Sequence, residues 1–269
     1  MNQTNSNSRT VLMVAPLLFG TLLLGVAPSL AAMSGEEVMR RVEDRDAGSA
    51  VQALVSMELV DRRGSTSSRI VEGYGAEDAD GLSRMVIVFH RPASVQDTRF
   101  LVIENPDRDD DQWIYLPALR RVRRIAAGEG GDSFMGTDFT YDDLQSRSVD
   151  DDRHELLREE RLQGYDCYVV ESVPRDSDGA QYSRRVQWVP RDIWVPIRIE
   201  FYDRRGDLLK VNSVEQLEQV QGYWTPMKST MKNEQTGHAT RLEVQRIQYD
   251  GNLPDELFTT RFLETGRVR

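Results

Sequence analysis

The chain has 269 residues, a formal net charge of −10, 29% charged residues and a single cysteine. That acidic balance sets the protein against the phosphate backbone of nucleic acids. With only Cys167 an internal disulfide is excluded, so an apolar core must hold the fold, and the length suffices for one.

The first 32 residues stand apart. Arg9 is their only charge, and it precedes the apolar run "VLMVAPLLFGTLLLGVAPSL". "SLAA" follows, with Ser29 and Ala31 at the spacing of a signal-peptidase site. A membrane anchor is the rival reading, but Gly20, Gly25 and Pro28 interrupt the run where a signal peptide turns before its cut. The expected organisation is a signal peptide over 1–31 and a single domain over 32–269. No cysteine lies near the cut, so no lipid anchor is expected.

One helix opens the domain. Ser34 and Glu37 in "SGEEVMRRVEDRD" have the spacing of a capping box, and Val38, Met39 and Val42 form an apolar stripe. Helix signals nearly vanish after it. "VQALVSMELV" alternates as a strand, and "SRIVEGYG", "SRMVIVFH", "TRFLVIE", "QWIYLP", "RRVRRI", "ELLREERL", "DCYVVESV", "SRRVQWV", "VPIRIEFY", "DLLKVNSVEQL", "YWTPMKSTM" and "ATRLEVQRIQY" continue the series. "DRRG" at 61–64 and at 203–206 supplies a hairpin turn twice, and "LQGYD", "RDSDGA" and "VQGYW" supply others. "RMVIVF" and "RFLVI" are apolar on both faces. A sheet with one wet face alternates, so this sheet is either covered on both sides or curled around an apolar cavity. The expected fold is mainly β (α+β): a large, strongly coiled antiparallel sheet covered by the N-terminal helix. An outer-membrane barrel is disfavoured by the charges of "RRVRRI", "ELLREERL" and "RLEVQRIQY" on both strand faces.

Catalytic and metal signatures are weak. His90, His154 and His238 form no metal-binding pair and read as surface side chains, and no nucleophile elbow occurs. The acidic runs "PDRDDDQW" and "SVDDDRH" miss the glycine and glutamate of a calcium loop and read as solvated turns. Cys167 in "GYDCYVVESV" reads as a buried small hydrophobe. A third class, hydrolysis of envelope polymers, would need a carboxylate pair in a cleft. No cofactor and no metal are expected.

Two stretches remain. "WIYLPALRRVRRI" carries Arg120, Arg121, Arg123 and Arg124, either as charge protecting an edge strand or as a contact for an anionic surface. "GEGGDSFMGTDFTYDDL" at 128–144 has glycines but no lysine, which excludes a phosphate loop. Its glycines and aromatics suit either a movable flap or a loop that plugs the core.

With "WIYLPALRRVRRI", "SFMGTDFTYDDL", "IEFYDRRGDLLK" and "GYWTPMKSTMKN" the chain resembles the LolA-like family of outer-membrane lipoprotein-sorting proteins, in the branch found beside transporters of the resistance–nodulation–division type. The resemblance spans the whole expected domain. It implies a half-open β-barrel closed by helices and a lid loop, residence in the periplasm, and a cavity for acyl chains of lipoproteins or other lipids. It implies as partners an inner-membrane transporter of that type and an outer-membrane acceptor, and no chemical step. Phe134, Met135, Phe139 and Tyr141 fall in the lid block, which turns that loop toward a flap. The cavity and lid candidates are then Phe89, Phe100, Trp113, Tyr115, Phe134, Met135, Phe139, Tyr141, Trp188, Phe201 and Trp224. Arg120, Arg121, Arg123 and Arg124 are the candidates for partner contact. A non-transporting accessory subunit docked on a membrane transporter is the alternative function.

Overall fold

The computed structural model describes residues 33–268, so the expected signal peptide lies outside the described residues. Helix α1, Gly35–Glu43, starts where its cap predicts: Ser34 Oγ accepts from Glu37 N–H at 3.1 Å and the Glu37 carboxylate accepts from Ser34 N–H at 2.8 Å. The strands follow as β1 (Ala50–Val60), β2 (Thr66–Glu77), β3 (Ser83–Arg91), β4 (Arg99–Ile103), β5 (Asp111–Leu116) and β6 (Arg121–Arg124). After a long connection come β7 (Asp152–Leu162), β8 (Tyr165–Pro174), β9 (Arg184–Pro190), β10 (Arg198–Tyr202), β11 (Leu208–Val220), β12 (Tyr223–Asn233) and β13 (Ala239–Tyr249), then helix α2, Thr260–Thr265. Every strand expected from the sequence is present. Both "DRRG" turns place their glycine at positive φ, +83° for Gly64 and +87° for Gly206, the conformation a bulged hairpin demands.

All thirteen strands form one antiparallel sheet in the order β6-β5-β4-β3-β2-β1-β13-β12-β11-β10-β9-β8-β7. Two meanders therefore join along β1 and β13. β6 and β7 do not pair with each other, so the sheet is not closed; the strong coiling expected from the sequence is not shown. Both edges discourage pairing. β6 has four residues, three of them arginine, and β7 alternates charges as "DRHELLREERL".

Register assigns the faces. Ile247, Ala53, Gly73, Ile87, Phe100 and Ile114 are successive cross-strand partners and share one face. The 125–151 connection, hereafter the strap, packs on that face through Phe134 and Tyr141. At the other end of the sheet α1 packs Val38, Met39 and Val42 on Tyr168, Val170 and Val189. The opposite face of β3 and β4 buries Val86, Val88 and Leu101 under Leu257, Phe258, Phe262 and Leu263. The two-sided apolar pattern of "RMVIVF" and "RFLVI" thus has a direct cause: the strap covers one side and α2 the other. Helix α2 escapes a sequence reading because it has six residues, although Thr259 caps its start and Gly266, at φ +63°, ends it.

Cys167 is fully buried between Val169 and Trp188, and burial pushes its thiol up to about 11. Other expectations change. His154 is half-buried, holding Ser172 Oγ at 2.8 Å and the Val149 carbonyl at 2.9 Å. Asp152, in the second acidic run, is 3% exposed and bonds Arg147 and Arg185. These groups are interior because the strap passes over them.

Gly35 fixes how α1 meets β7. A Cβ there would lie 2.7 Å from the backbone of Glu155 and Leu156. Helix propensity favours alanine over glycine by up to about 1 kcal/mol. We predict the reverse: Gly35→Ala lowers stability by about 1–3 kcal/mol through overpacking, read as a shifted denaturant midpoint, whereas Val38→Ala costs about 1–3 kcal/mol by loss of burial.

Candidate functional site

The strap builds the site. Residues 130–142 fold into a compact loop closed by its own backbone: Phe134 N–H donates to Phe139 O at 2.8 Å, Tyr141 N–H to Asp132 O at 3.2 Å and Asp142 N–H to Gly130 O at 2.9 Å. Gly130 lets the Asp142 carboxylate come close: a Cβ there would force that carboxylate to shift. The tip turns through Met135 and Gly136, at φ +52° and +76°. Thr137, buried, closes it by donating from Oγ1 to Phe134 O at 2.7 Å.

One flank of this loop is an apolar wedge. The Phe134 ring is 2% exposed and lies 4.9 Å from Phe100, 5.8 Å from Phe89 and 5.8 Å from Tyr141. Met57, Val71, Val102 and Ile114 complete the cluster. Arg69, its guanidinium 5.8 Å above the Phe89 ring, donates to Met135 O at 2.7 Å.

The other flank is a polar clamp. Lys210 on β11, 2% exposed, donates from Nζ to Asp143 Oδ2 at 2.5 Å and to Asp138 O at 3.1 Å. Tyr182 Oη donates to Asp143 Oδ1 at 2.7 Å. Asp138 N–H donates to Thr240 Oγ1 at 2.9 Å, and the Thr240 hydroxyl donates back to Asp138 Oδ2 at 2.7 Å. Burial pushes the Lys210 ammonium below its ordinary value, against the pull of Asp143 beside it. Burial, reinforced by the Asp143 charge, pushes the Tyr182 hydroxyl far above its own. Burial likewise raises Asp138, against the Thr240 hydrogen bond. Further along, Arg147 and Arg185 bond Asp152, and Val149 packs against α1.

Beside the wedge a strip of apolar sheet is left half-covered. Val51, Ala53 and Val55 on β1, Gly73 on β2, Ile87 on β3 and Val244 and Ile247 on β13 are all partly exposed on this face. A Cβ placed on Gly73 meets no atom within 4 Å, so the position above Gly73 stands open. Tyr249 and Tyr223, with ring centroids 4.6 Å apart, bound its end near Val51. A separate cleft of about 400 Å³ lies between the strap and β5–β6, lined by Arg108, Asp110, Gln112, Arg124, Asp142 and Gln145 among others. Its charged lining makes it unsuited to hydrocarbon.

Of the residues expected to line a cavity or lid, Phe89, Phe100, Phe134 and Tyr141 meet in the wedge, with Met135 at its margin. Phe139 and Phe201 join Tyr182 and Met231 beside the clamp. Trp113 and Tyr115 lie on the opposite face against α2. Trp188 is on that face too, donating from Nε1 to Glu160 at 3.0 Å under Arg158 and Arg198. Trp224 alternates with Tyr223 and Thr225, whose side chains meet Tyr249, and so turns away from the strap. Arg120 and Arg121 project from the β6 edge, whereas Arg123 pairs with Glu129 and Arg124 with Asp111. Sequence reasoning missed Lys210, Asp143, Tyr182 and Arg69. A lysine at an inward position of "LLKVNSV" is the one available hint, and its partner lies 67 residues away.

A protein family described as uncharacterized matches residues 81–265. Among solved structures, a domain from Vibrio parahaemolyticus, provisionally classed as an outer membrane lipoprotein-sorting protein, is 31% identical, with 86% of this chain and 98% of that chain covered and a TM-score of 0.81. A DUF1329 family protein from Desulfovibrio piger is 32% identical over 85% of this chain and 97% of its own, with a TM-score of 0.81. A LolA superfamily protein from Nitrosomonas europaea shares the fold at 20% identity and a TM-score of 0.67, with 86% of this chain and 100% of that chain covered. No curated protein matches the chain.

The clamp makes a stability prediction. Lys210→Met leaves Asp143 buried without its cation and costs about 3–5 kcal/mol, while Lys210→Met with Asp143→Leu recovers much of the loss. Urea unfolding of the two variants measures both. Equal losses in the single and double variants contradict the pairing.

Proposed function

The chain belongs to the DUF1329 family and has a LolA-like fold, and from that premise we propose that it is a periplasmic carrier of acyl chains, of lipoproteins or of other lipids, working between a transporter of the inner membrane and an acceptor in the outer membrane. The open space above Gly73, in the middle of a half-covered apolar strip, is the observation that carries this reading. The name of the Vibrio relative supports it.

The physics asks for such a surface. An acyl chain of about 15 methylenes gains roughly 12 kcal/mol on leaving water, at about 0.8 kcal/mol each. It does not cross an aqueous gap unaided, and a carrier must cover it without holding it irreversibly. Half of the wall is preformed in the strip. The Phe134 leaf supplies the movable half, because the ring packing that opening breaks is replaced by packing against the acyl chain. No bond is made or broken.

The finer shape of the sheet belongs to the same proposal. Tyr141 packs 5.7 Å from Phe100 on β4, yet Asp143, two residues on, bonds Lys210 on β11. Those strands are six steps apart in the sheet, about 29 Å if flat, whereas two residues span at most about 7 Å. We read the sheet as bowed around the strap, which gives the strip its walls and supports a half-open barrel. The leader over 1–31 would deliver the chain to the periplasm. Exposed Arg120 and Arg121, at the β6 edge beside exposed Leu119, are the surface for the transporter, which we take to be of the resistance–nodulation–division type.

Filling the strip tests the proposal. Gly73→Leu adds a side chain where no atom stands in the way and raises β-propensity, so the protein folds with undiminished thermal stability. Binding of hexadecanol, followed by displacement of a neutral fluorescent probe, weakens by about tenfold or more. Unchanged binding in a folded Gly73→Leu variant, or no lipid in a solvent extract of the native protein, overturns the reading.

A further inference from the structure

Arg69 stands out among the strap-face cations. Lys210 has Asp143, and Arg147 and Arg185 share Asp152. Among the described residues Arg69 has no carboxylate partner; its hydrogen bond goes to the Met135 carbonyl of the strap, and Phe89 lies beneath it. Burial pushes its guanidinium below the ordinary value. The nearest acid on its own strand, Glu72, sits on the opposite face, where it bonds Gln52 and His90. Asp138 is occupied by Thr240, and Asp143 by Lys210 and Tyr182.

Its position matters as much as its lack of a partner. Arg69 pairs with Met57 in register and shares its face with Val71 and Gly73, about 7 and 13 Å further along β2 by strand rise. The guanidinium therefore stands at one end of the apolar strip, with its acceptor on the part of the strap that must move. When Phe134 and Met135 lift, Arg69 loses the Met135 carbonyl and is left half-buried with its N–H fork unsatisfied. An incoming group restores that loss best if it is a planar or tetrahedral anion, which accepts two N–H bonds at once.

We propose that the ligand of the strip is an anionic amphiphile, whose carboxylate or phosphate head binds Arg69 in place of the Met135 carbonyl while its chain lies along Val71, Gly73 and Ala53. The proposal rests on the carrier reading and narrows it to a chemical class. Arg69 then sets specificity, and it couples opening to occupancy, since a neutral chain leaves the cation unsatisfied.

The test compares ligands of one chain length on the purified protein. Hexadecanoic acid, hexadecyl phosphate and hexadecanol compete for a neutral fluorescent probe, with inorganic phosphate as the control that lacks a chain. The expected result is that at least one anion binds about tenfold more tightly than the alcohol, the scale of a charge-assisted hydrogen bond, and that inorganic phosphate does not compete. Arg69→Gln abolishes the preference by weakening the anions, while hexadecanol binds no more weakly than to the native protein; Arg69→Lys keeps part of the preference. A preference for hexadecyl phosphate over hexadecanoic acid assigns the head to a phospholipid source, and the reverse assigns it to a fatty acid. Equal binding of acid, phosphate and alcohol by the native protein overturns the proposal. So does Arg69→Gln shifting all three affinities alike, because Arg69 then acts through the strap and not on the head group. If none of the three binds the native protein, the carrier reading itself has failed.

Discussion

β6 and β7 follow one another in the chain and form the opposite edges of the thirteen-stranded sheet, so the segment between them has to run across a face of that sheet. The rest of the structure follows from that constraint. Where a crossing segment is buried its backbone groups must be satisfied, and the strap meets this with a closed loop of internal hydrogen bonds. It must also attach to a surface made by strands from both meanders. It meets β3 to β5 with aromatic rings and β11 and β13 with a cation, a hydroxyl and two carboxylates.

Wedge and clamp are different materials. Ring packing is non-directional and is readily exchanged for other hydrocarbon. The Lys210–Asp143–Tyr182 set is directional and buried, and leaving any member unmatched is costly. The strap is held on one flank by directional polar contacts and on the other by ring packing. The exposure pattern agrees: the strip beside the wedge is half-covered, whereas the ground around Lys210 is closed. In the proposed carrier, transfer of a chain would exchange like for like at the wedge, and Arg69, hydrogen-bonded to the Met135 carbonyl, stands at the margin of that packing.

Much was legible in the sequence because its causes are local. Capping at Ser34, alternation in "VQALVSMELV", the paired "DRRG" turns and the glycines of the strap each act within a few residues. Aromatic composition left flap and plug open for the loop whose Phe134 and Tyr141 seat on the sheet, and it could not sort tryptophans between faces. Trp113, Trp188 and Trp224 ended away from the strap because a one-residue step along a strand reverses the face, and only neighbouring strands and α2 define which face is which. Two-sided apolar strands suggested a hydrocarbon cavity. In β3 and β4 they answer instead to two covering layers, while the half-covered strip lies mainly on β1, β2 and β13.

By itself, then, the sequence determined an acidic, disulfide-free chain of hairpins with one capped helix and a glycine-rich aromatic loop, since propensity, capping and turn chemistry are short-range. Only the tertiary structure decided that the sheet stays open at two charged edges, that the loop crosses it, and that Lys210 reaches Asp143 while Arg69 is left with a backbone carbonyl. Those pairings join residues tens of positions apart, and a charge buried in the interior acquires its meaning from whatever the fold brings within hydrogen-bonding distance of it.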